Sequence, residues 1–319
     1  MDKPYVIGMD MGGTNTVFGV VDSRGSVISK SAIKTSNHPE DVNLYINDIY
    51  VELSKLIQAA GGIDKIKGIG IGAPNGNYYT GNIEHAPNLP WKGIVPFAKL
   101  MSAKFGIPAA LTNDANAAAF GEMTYGAARG MKDFIMITLG TGVGSGIIID
   151  GKVLYGHDGF AGELGHTTAV RNNGRLCGCG KTGCLETYCS ATGVARSARE
   201  ILESTDKSSL LRNIPSEEIT SKDVFDAAME GDEVAKEIFN FTGKILGESL
   251  ADFVAFSAPE AIVLFGGLSK AGDLILNPIR ENMEKNLLPL WRGKIKLVFS
   301  DLKEADAAVL GASALAWEL

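Results

Sequence analysis

Apolar and polar positions along the chain follow two different periods. Tyr5-Val6-Ile7-Gly8-Met9 is a short strand-like run that stops at Asp10-Met11-Gly12-Gly13-Thr14. Thr16–Val21 and Val27–Lys34 follow as strands, joined by a turn at Asp22-Ser23-Arg24-Gly25. Residues 40–59 place Val42, Tyr45, Ile46, Ile49, Leu53 and Leu56 at helical spacing. A strand over Ile66–Ile71, a helix around Val95–Phe105 and a strand over Ala109–Thr112 come next, and Ala115–Gly121 starts another helix.

The pattern then restarts. Phe134–Leu139 is a strand ending in Gly140-Thr141-Gly142-Val143-Gly144-Ser145-Gly146. A second strand runs to the hairpin turn Asp150-Gly151, and Lys152–Tyr155 is the third. After a Gly/Cys-rich stretch, helices are expected near 187–203, 221–230 and 232–257, and the strand Ala261–Phe265 ends in Gly266-Gly267. A helix near 274–288, a strand over Ile295–Phe299 and a last helix from Ala305 complete the chain. Both halves thus read strand, glycine turn, strand, turn, strand, then alternating helices and strands. This duplication predicts two related α/β lobes flanking a cleft. The expected lobes are residues 1–115, a small N-terminal lobe on which the helix at about 305–319 packs back, and 116–304, a larger C-terminal lobe.

Composition narrows the function. The 319 residues carry a net charge of −7, which argues against a nucleic-acid coat or a polybasic membrane binder. Hydrophobic residues at 45% and charged residues at 21% are ordinary for a globular protein. No apolar run reaches the 18 or so residues of a membrane span. Met1-Asp2-Lys3-Pro4 lacks the layout of a signal peptide, so a cytoplasmic location is expected. Glycine, at 39 residues, is well above the usual ~7% and gathers after apolar runs, where backbone must turn tightly or approach a ligand.

An apolar strand ending in Asp-x-Gly-Gly-Thr presents backbone N–H groups and a hydroxyl at a sheet edge, a device that binds phosphate. Asp10 would suit Mg²⁺, since hard cations take oxygen ligands. Leu139–Gly146 repeats the device, and neither run matches the P-loop or dinucleotide strings. Either alone is equally a tight hairpin; their recurrence at equivalent places favours the phosphate reading.

All 4 cysteines lie between Cys177 and Cys189. Cys177, Cys179 and Cys184, spaced by glycines, could fold around one tetrahedral Zn²⁺, with His166 eleven residues upstream as the fourth ligand. Cys189 falls in the next helical pattern and reads as a buried apolar residue. Asn113-Asp114 before an alanine-rich run reads on its own as a helix cap, and Glu163, His166 and Glu186 as loop polar residues.

Taken together, these motifs resemble the ROK family of sugar kinases and repressors, of the hexokinase/actin-like ATPase (ribonuclease H-like) fold. The resemblance spans nearly the whole chain. Asp10–Thr14 and Leu139–Gly144 are similar to the family's two phosphate motifs, and Ala86-Pro87-Asn88-Leu89-Pro90-Trp91 to its sugar loop. Asn113–Ala118 is similar to its catalytic segment, and Glu163–His166 with Cys177–Glu186 to its signature. Gly266-Gly267 is similar to the adenosine-side turn.

The resemblance implies an ATP-dependent hexose kinase with Asp114 as general base. It implies sugar contacts from Asn88, Asn113, Asp114, Glu163, His166 and Glu186. ATP would be held by Asp10, Gly12, Gly13, Thr14, Gly140, Thr141, Gly142, Gly144, Gly266 and Gly267. A structural Zn²⁺ on His166, Cys177, Cys179 and Cys184 would fix the histidine for its sugar contact. Expected partners are the sugar, ATP and Mg²⁺, with no nucleic acid and no membrane, and the chain as a homodimer or homotetramer.

Family repressors carry a winged-helix segment ahead of the first phosphate motif, which here begins at Tyr5, so an enzyme is expected. Gly162-Glu163-Leu164-Gly165-His166 is more like glucokinases than fructokinases, while N-acetylmannosamine and N-acetylglucosamine kinases share much of it. Asn75-Gly76-Asn77-Tyr78-Tyr79 departs from the family's Gly-x-Val/Ile-Asp turn and would reshape an edge of the sugar site.

Overall fold

The structure, a computed structural model, describes residues 3–319. Met1 and Asp2, on which the reading of the N-terminus partly rests, lie outside the described residues. The chain begins with β1 (Tyr5–Met11), β2 (Asn15–Asp22) and β3 (Val27–Lys34), then α1 (Val42–Ala59) and β4 (Ile66–Ala73). Three short strands follow: β5 (Gly76–Asn77), β6 (Asn82–Glu84) and β7 (Ile94–Val95). Next come α2 (Phe97–Phe105), β8 (Ala109–Asn113) and α3 (Asp114–Tyr125). The second series is β9 (Phe134–Leu139), β10 (Val143–Ile149), β11 (Lys152–Val153), α4 (Glu186–Cys189), α5 (Ala191–Ser204), α6 (Ser221–Met229) and α7 (Glu233–Ser257). It ends with β12 (Ala261–Phe265), α8 (Asp273–Asn286), β13 (Lys296–Phe299) and α9 (Glu304–Ala316).

The duplication is present in the sheets. One has the order β3-β2-β1-β4-β8 and the other β11-β10-β9-β12-β13. In the first, β1–β2 and β2–β3 are antiparallel, while β1–β4 and β4–β8 are parallel. The second repeats the parallel part through β9–β12 and β12–β13. Parallel neighbours require crossover connections, which is where the helices stand.

Two compact units divide the chain. The first takes the chain up to Lys132 together with Gly146–Gly162 and Ser300–Leu319; the second takes Asp133–Ser145 and Glu163–Phe299. The break near residue 115 expected from sequence is therefore displaced to 132, because α3 packs on α9 and β4 within the first unit. In that unit β1 follows the period of a strand buried on both faces. Ile7, Met9 and Met11 join the core under α1 and α2, and Val6 joins a smaller cluster with Val309 and Leu310 of α9. A side chain at Gly8 or Gly70 would collide with the backbone of α9, which is how that alanine-rich helix lies directly on β1 and β4. Much of the glycine excess thus serves packing as well as turns. In the second unit α7 and α8 form the main helix pair.

Asp150-Gly151 forms the expected hairpin turn, with both residues at positive φ. The helix expected over 187–203 is broken into α4 and α5 at Ser190, whose side chain caps α5 by accepting the Gly193 N–H. The three-stranded β5-β6-β7 sheet has strands too short for a period to register in sequence.

Candidate functional site

In the first unit, the β1–β2 turn is closed by the Gly12 N–H donating to the Asn15 carbonyl at 3.0 Å. Gly13 and Thr14 at its tip are exposed. The sugar-loop residue Asn88 lies against this tip: a Cβ built on Gly13 would stand 3.0 Å from the Asn88 carbonyl oxygen. Asn88 itself is exposed, while Leu89 and Trp91 beside it are buried and anchor the loop.

Asn113 ends β8 and caps α3, its side chain accepting the Ala115 N–H at 2.8 Å. Asp114 opens the helix, and its own carboxylate accepts the same N–H at 2.8 Å. Asp10, near the end of β1 in the same sheet, shares with it the surroundings of Gly72 on the intervening β4. A Cβ on Gly72 would lie 3.6 Å from both Asp10 Oδ1 and Asp114 Cα. Burial and then the Asp114 charge push the Asp10 pKa up to about 7. Asp114 is open to solvent, yet dense protein around it raises its pKa above the ordinary carboxylate value. A pair of carboxylates held this way suits a hard cation at Asp10 and a proton acceptor at Asp114.

In the second unit, the β9–β10 turn is fixed from several sides. The Gly144 N–H donates to Thr138 Oγ1 at 3.0 Å, and the Gly140 and Thr141 carbonyls accept from the Ala191 N–H and the Thr192 hydroxyl. The Val143 N–H donates to Glu186 Oε2 at 3.0 Å. A Cβ on Gly142 would sit 2.3 Å from that carboxylate, so a side chain here would push Glu186 off the Val143 N–H. Gly266, at φ 107°, packs its backbone against Leu139, so the third glycine turn meets the second.

His166, Cys177, Cys179 and Cys184 bring their ligand atoms within 4.8 Å of one another. Cys179 Sγ lies 3.7 Å from Cys184 Sγ, and Cys177 Sγ 3.7 Å from His166 Nδ1. A tetrahedron of 2.3 Å metal–sulfur bonds has edges of about 3.8 Å, so this donor set fits zinc in both chemistry and spacing. Cys189 stands apart, buried, its Sγ toward the Thr242 carbonyl, and burial raises its pKa. Glu163 precedes the short helical turn bearing His166 and accepts the His166 N–H through its carbonyl at 3.1 Å.

Arg175 was not among the residues singled out in sequence. Its buried guanidinium donates to the Thr187 carbonyl at 2.6 Å, to the Gly193 carbonyl, to Ser197 and to Glu200. It also stacks on Tyr188, 4.4 Å from the ring centre. It thereby ties the cysteine loop to α4 and α5. A lone arginine two residues before a cysteine offers no signal of this in sequence; nor does Gly72, which reads only as a strand end.

The family model described as the ROK family matches residues 6–318. The chain belongs to the ROK family. It is 38% identical over 317 residues to a glucokinase of Halalkalibacterium halodurans, covering 98% of this chain and 94% of that one. A xylose repressor of Caldicellulosiruptor bescii is 30% identical, covering 98% of this chain and 78% of the repressor. Among solved structures, a ROK family glucokinase from Streptomyces griseus in complex with glucose and AMPPNP superposes with a TM-score of 0.80 at 34% identity, covering 99% and 100% of the two chains. This ROK chain has the hexokinase/actin-like ATPase fold, in keeping with its two sheets of matching strand order.

Proposed function

We propose that this chain transfers the γ-phosphoryl group of ATP to the 6-hydroxyl of glucose, with Asp114 as general base. That it is an ATP-dependent sugar kinase follows from its family and from its likeness to glucokinases along nearly the whole chain. The observation that carries the Asp114 role is its placement at the head of α3 close to Asp10, with the pKa of both carboxyls raised.

In the reaction the sugar oxygen forms a bond to the γ-phosphorus and the bond from that phosphorus to the bridging oxygen of ADP breaks. The hydroxyl proton passes to Asp114. Phosphoryl transfer asks the protein mainly for positioning and charge neutralisation. Gly12, Gly13 and Thr14 would hold phosphate oxygens through backbone N–H groups and a hydroxyl, with Gly140, Thr141, Gly142 and Gly144 doing the same in the second unit. Gly266 and Gly267 would border the nucleoside. Asp10 would hold Mg²⁺, which when bound neutralises phosphate charge. Asn88, Asn113, Glu163, His166 and Glu186 would pair the sugar hydroxyls, whose unmet partners would cost roughly 1–3 kcal/mol each if buried. His166, Cys177, Cys179 and Cys184 would hold Zn²⁺ in a closed structural site that fixes the histidine's ring and tautomer.

A coupled ADP-release assay tests this over glucose, fructose, N-acetylglucosamine and N-acetylmannosamine. Glucose should exceed fructose in kcat/KM by at least about tenfold, since a site built to hydrogen-bond a defined set of hydroxyls rejects a mismatched one. A wide preference for an N-acetylhexosamine would leave the kinase and its Asp114 chemistry standing and remove glucose as the acceptor.

A further inference from the structure

Behind the Asp10–Thr14 turn lies a set of buried hydroxyls that the phosphoryl-transfer scheme does not use. Thr35 immediately follows β3 and is fully buried, as are Thr16 and Tyr45. The Thr35 N–H donates to the Thr14 carbonyl at 2.9 Å, and its Oγ1 donates to the Gly12 carbonyl at 2.7 Å. One residue therefore grips the turn at both ends. Thr16 Oγ1 stands 3.0 Å from Thr35 Oγ1, and the Tyr45 hydroxyl bonds to Thr16 Oγ1.

The direction of this chain is fixed by counting protons, because a hydroxyl has one to give. Thr35 gives its proton to Gly12, so Thr16 must give its own to Thr35. Tyr45 must then give its proton to Thr16. Every hydroxyl in the run donates once and accepts at most once, and the run ends on a backbone carbonyl of the turn. Burial holds Tyr45 protonated, its pKa pushed up to about 12, as the relay requires. The Tyr45 ring in turn packs on Trp91 with ring centres 4.6 Å apart, and Trp91 belongs to the loop that carries Asn88. Trp91 is itself held by its Nε1–H donating to the His38 carbonyl at 3.1 Å.

We infer that Thr35 is a positioning residue for the nucleotide, its hydroxyl setting the Gly12–Thr14 backbone that receives phosphate, with Tyr45 and Thr16 as the relay that holds that hydroxyl in place. This rests on the reading of the turn as a phosphate cradle. Removing the Thr35 hydroxyl orphans the Gly12 carbonyl and lets the turn relax, a change felt by the phosphate and not by the sugar hydroxyls.

The test compares Thr35→Val, Thr35→Ser, Tyr45→Phe and Thr14→Val in the full chain, reading KM for ATP, KM for glucose and thermal midpoint. Thr35→Val should raise KM for ATP by about tenfold, within what an orphaned buried carbonyl forfeits, with KM for glucose within about twofold of the parent. Thr35→Ser, which keeps the hydroxyl, should restore KM for ATP. Tyr45→Phe, which keeps the ring on Trp91, should shift KM for ATP the same way by less. The inference is overturned if Thr35→Val raises both KM values alike, or if it and Tyr45→Phe leave KM for ATP unchanged. Should Thr35→Val fail to fold, an unchanged KM for ATP in Tyr45→Phe overturns it alone. If Thr14→Val weakens ATP use while Thr35→Val does not, the cradle stands and the brace falls; if Thr14→Val has no effect, the cradle falls and takes the inference with it.

Discussion

Glu186 accepts the Val143 N–H at 3.0 Å while its other carboxylate oxygen lies 3.8 Å from Cys177 Sγ. One side chain therefore spans the cysteine cluster and the second glycine turn. Two substitutions separate its roles. Glu186→Gln keeps an oxygen for Val143 and should raise KM for the sugar with little change for ATP. Glu186→Ala orphans the amide as well and should raise KM for ATP by about tenfold, for a penalty of order 1–3 kcal/mol. Initial-rate kinetics against each substrate distinguish the two patterns.

The cysteine cluster predicts one tightly held zinc per chain. Elemental analysis of the purified protein should find close to one equivalent. Cys179→Ala and His166→Ala should lose it, and Cys189→Ala should keep it, because Cys189 lies buried away from the cluster. Zinc lost from Cys189→Ala and kept in His166→Ala would mean a different ligand set.

Arg175 is predicted to matter to stability and to the sugar site together. Arg175→Met leaves the Thr187 carbonyl without its donor, while the Gly193 carbonyl keeps the Ser197 hydroxyl and Glu200 keeps Arg196. Glu200 is half open to solvent and stays paired, so the expected loss is that of one orphaned carbonyl, roughly 1–3 kcal/mol. Chemical denaturation measures it. Glucose KM should rise more than ATP KM, since α4 carries Glu186.

How far these roles were legible in sequence follows from what each depends on. Most strands and helices of the two sheets announced themselves because their apolar periods run for five residues or more, although β11 and β13 are shorter. The glycine turns and the cysteine cluster were legible because their chemistry is local: contiguous residues supply both the bend and the donors. Thr35, Tyr45, Gly72 and Arg175 were not, because each acts across the fold. Thr35 reaches Gly12 from 23 positions away, and Arg175 reaches Glu200 from 25. Nothing in an isolated threonine or arginine records such a partner. The lobe boundary was misplaced for the same reason, since α3 is claimed by α9, which lies at the other end of the chain.

The raised pKa of Asp114 has two consequences with opposite readouts. As a base it must be ionised, so kcat/KM should fall as pH drops through a value above the ordinary aspartate value of roughly 3.9. For stability the sign reverses. A carboxyl with a raised pKa in the folded chain binds protons more readily folded than unfolded. Stability therefore declines as pH rises from the unfolded value through the raised one. Asp114→Asn removes that decline, and its thermal midpoint at pH 8 should be no lower than the parent's.

The same substitution, read as turnover, bears most directly on the claim that Asp114 accepts the proton from the sugar. Asparagine keeps an oxygen for the Ala115 N–H and so preserves the head of α3. Purified Asp114→Asn should bind glucose with near-parental affinity by calorimetry while kcat falls by at least about a hundredfold, the low end for loss of a general base. Turnover within a few-fold of the parent, with glucose binding intact, would contradict the account.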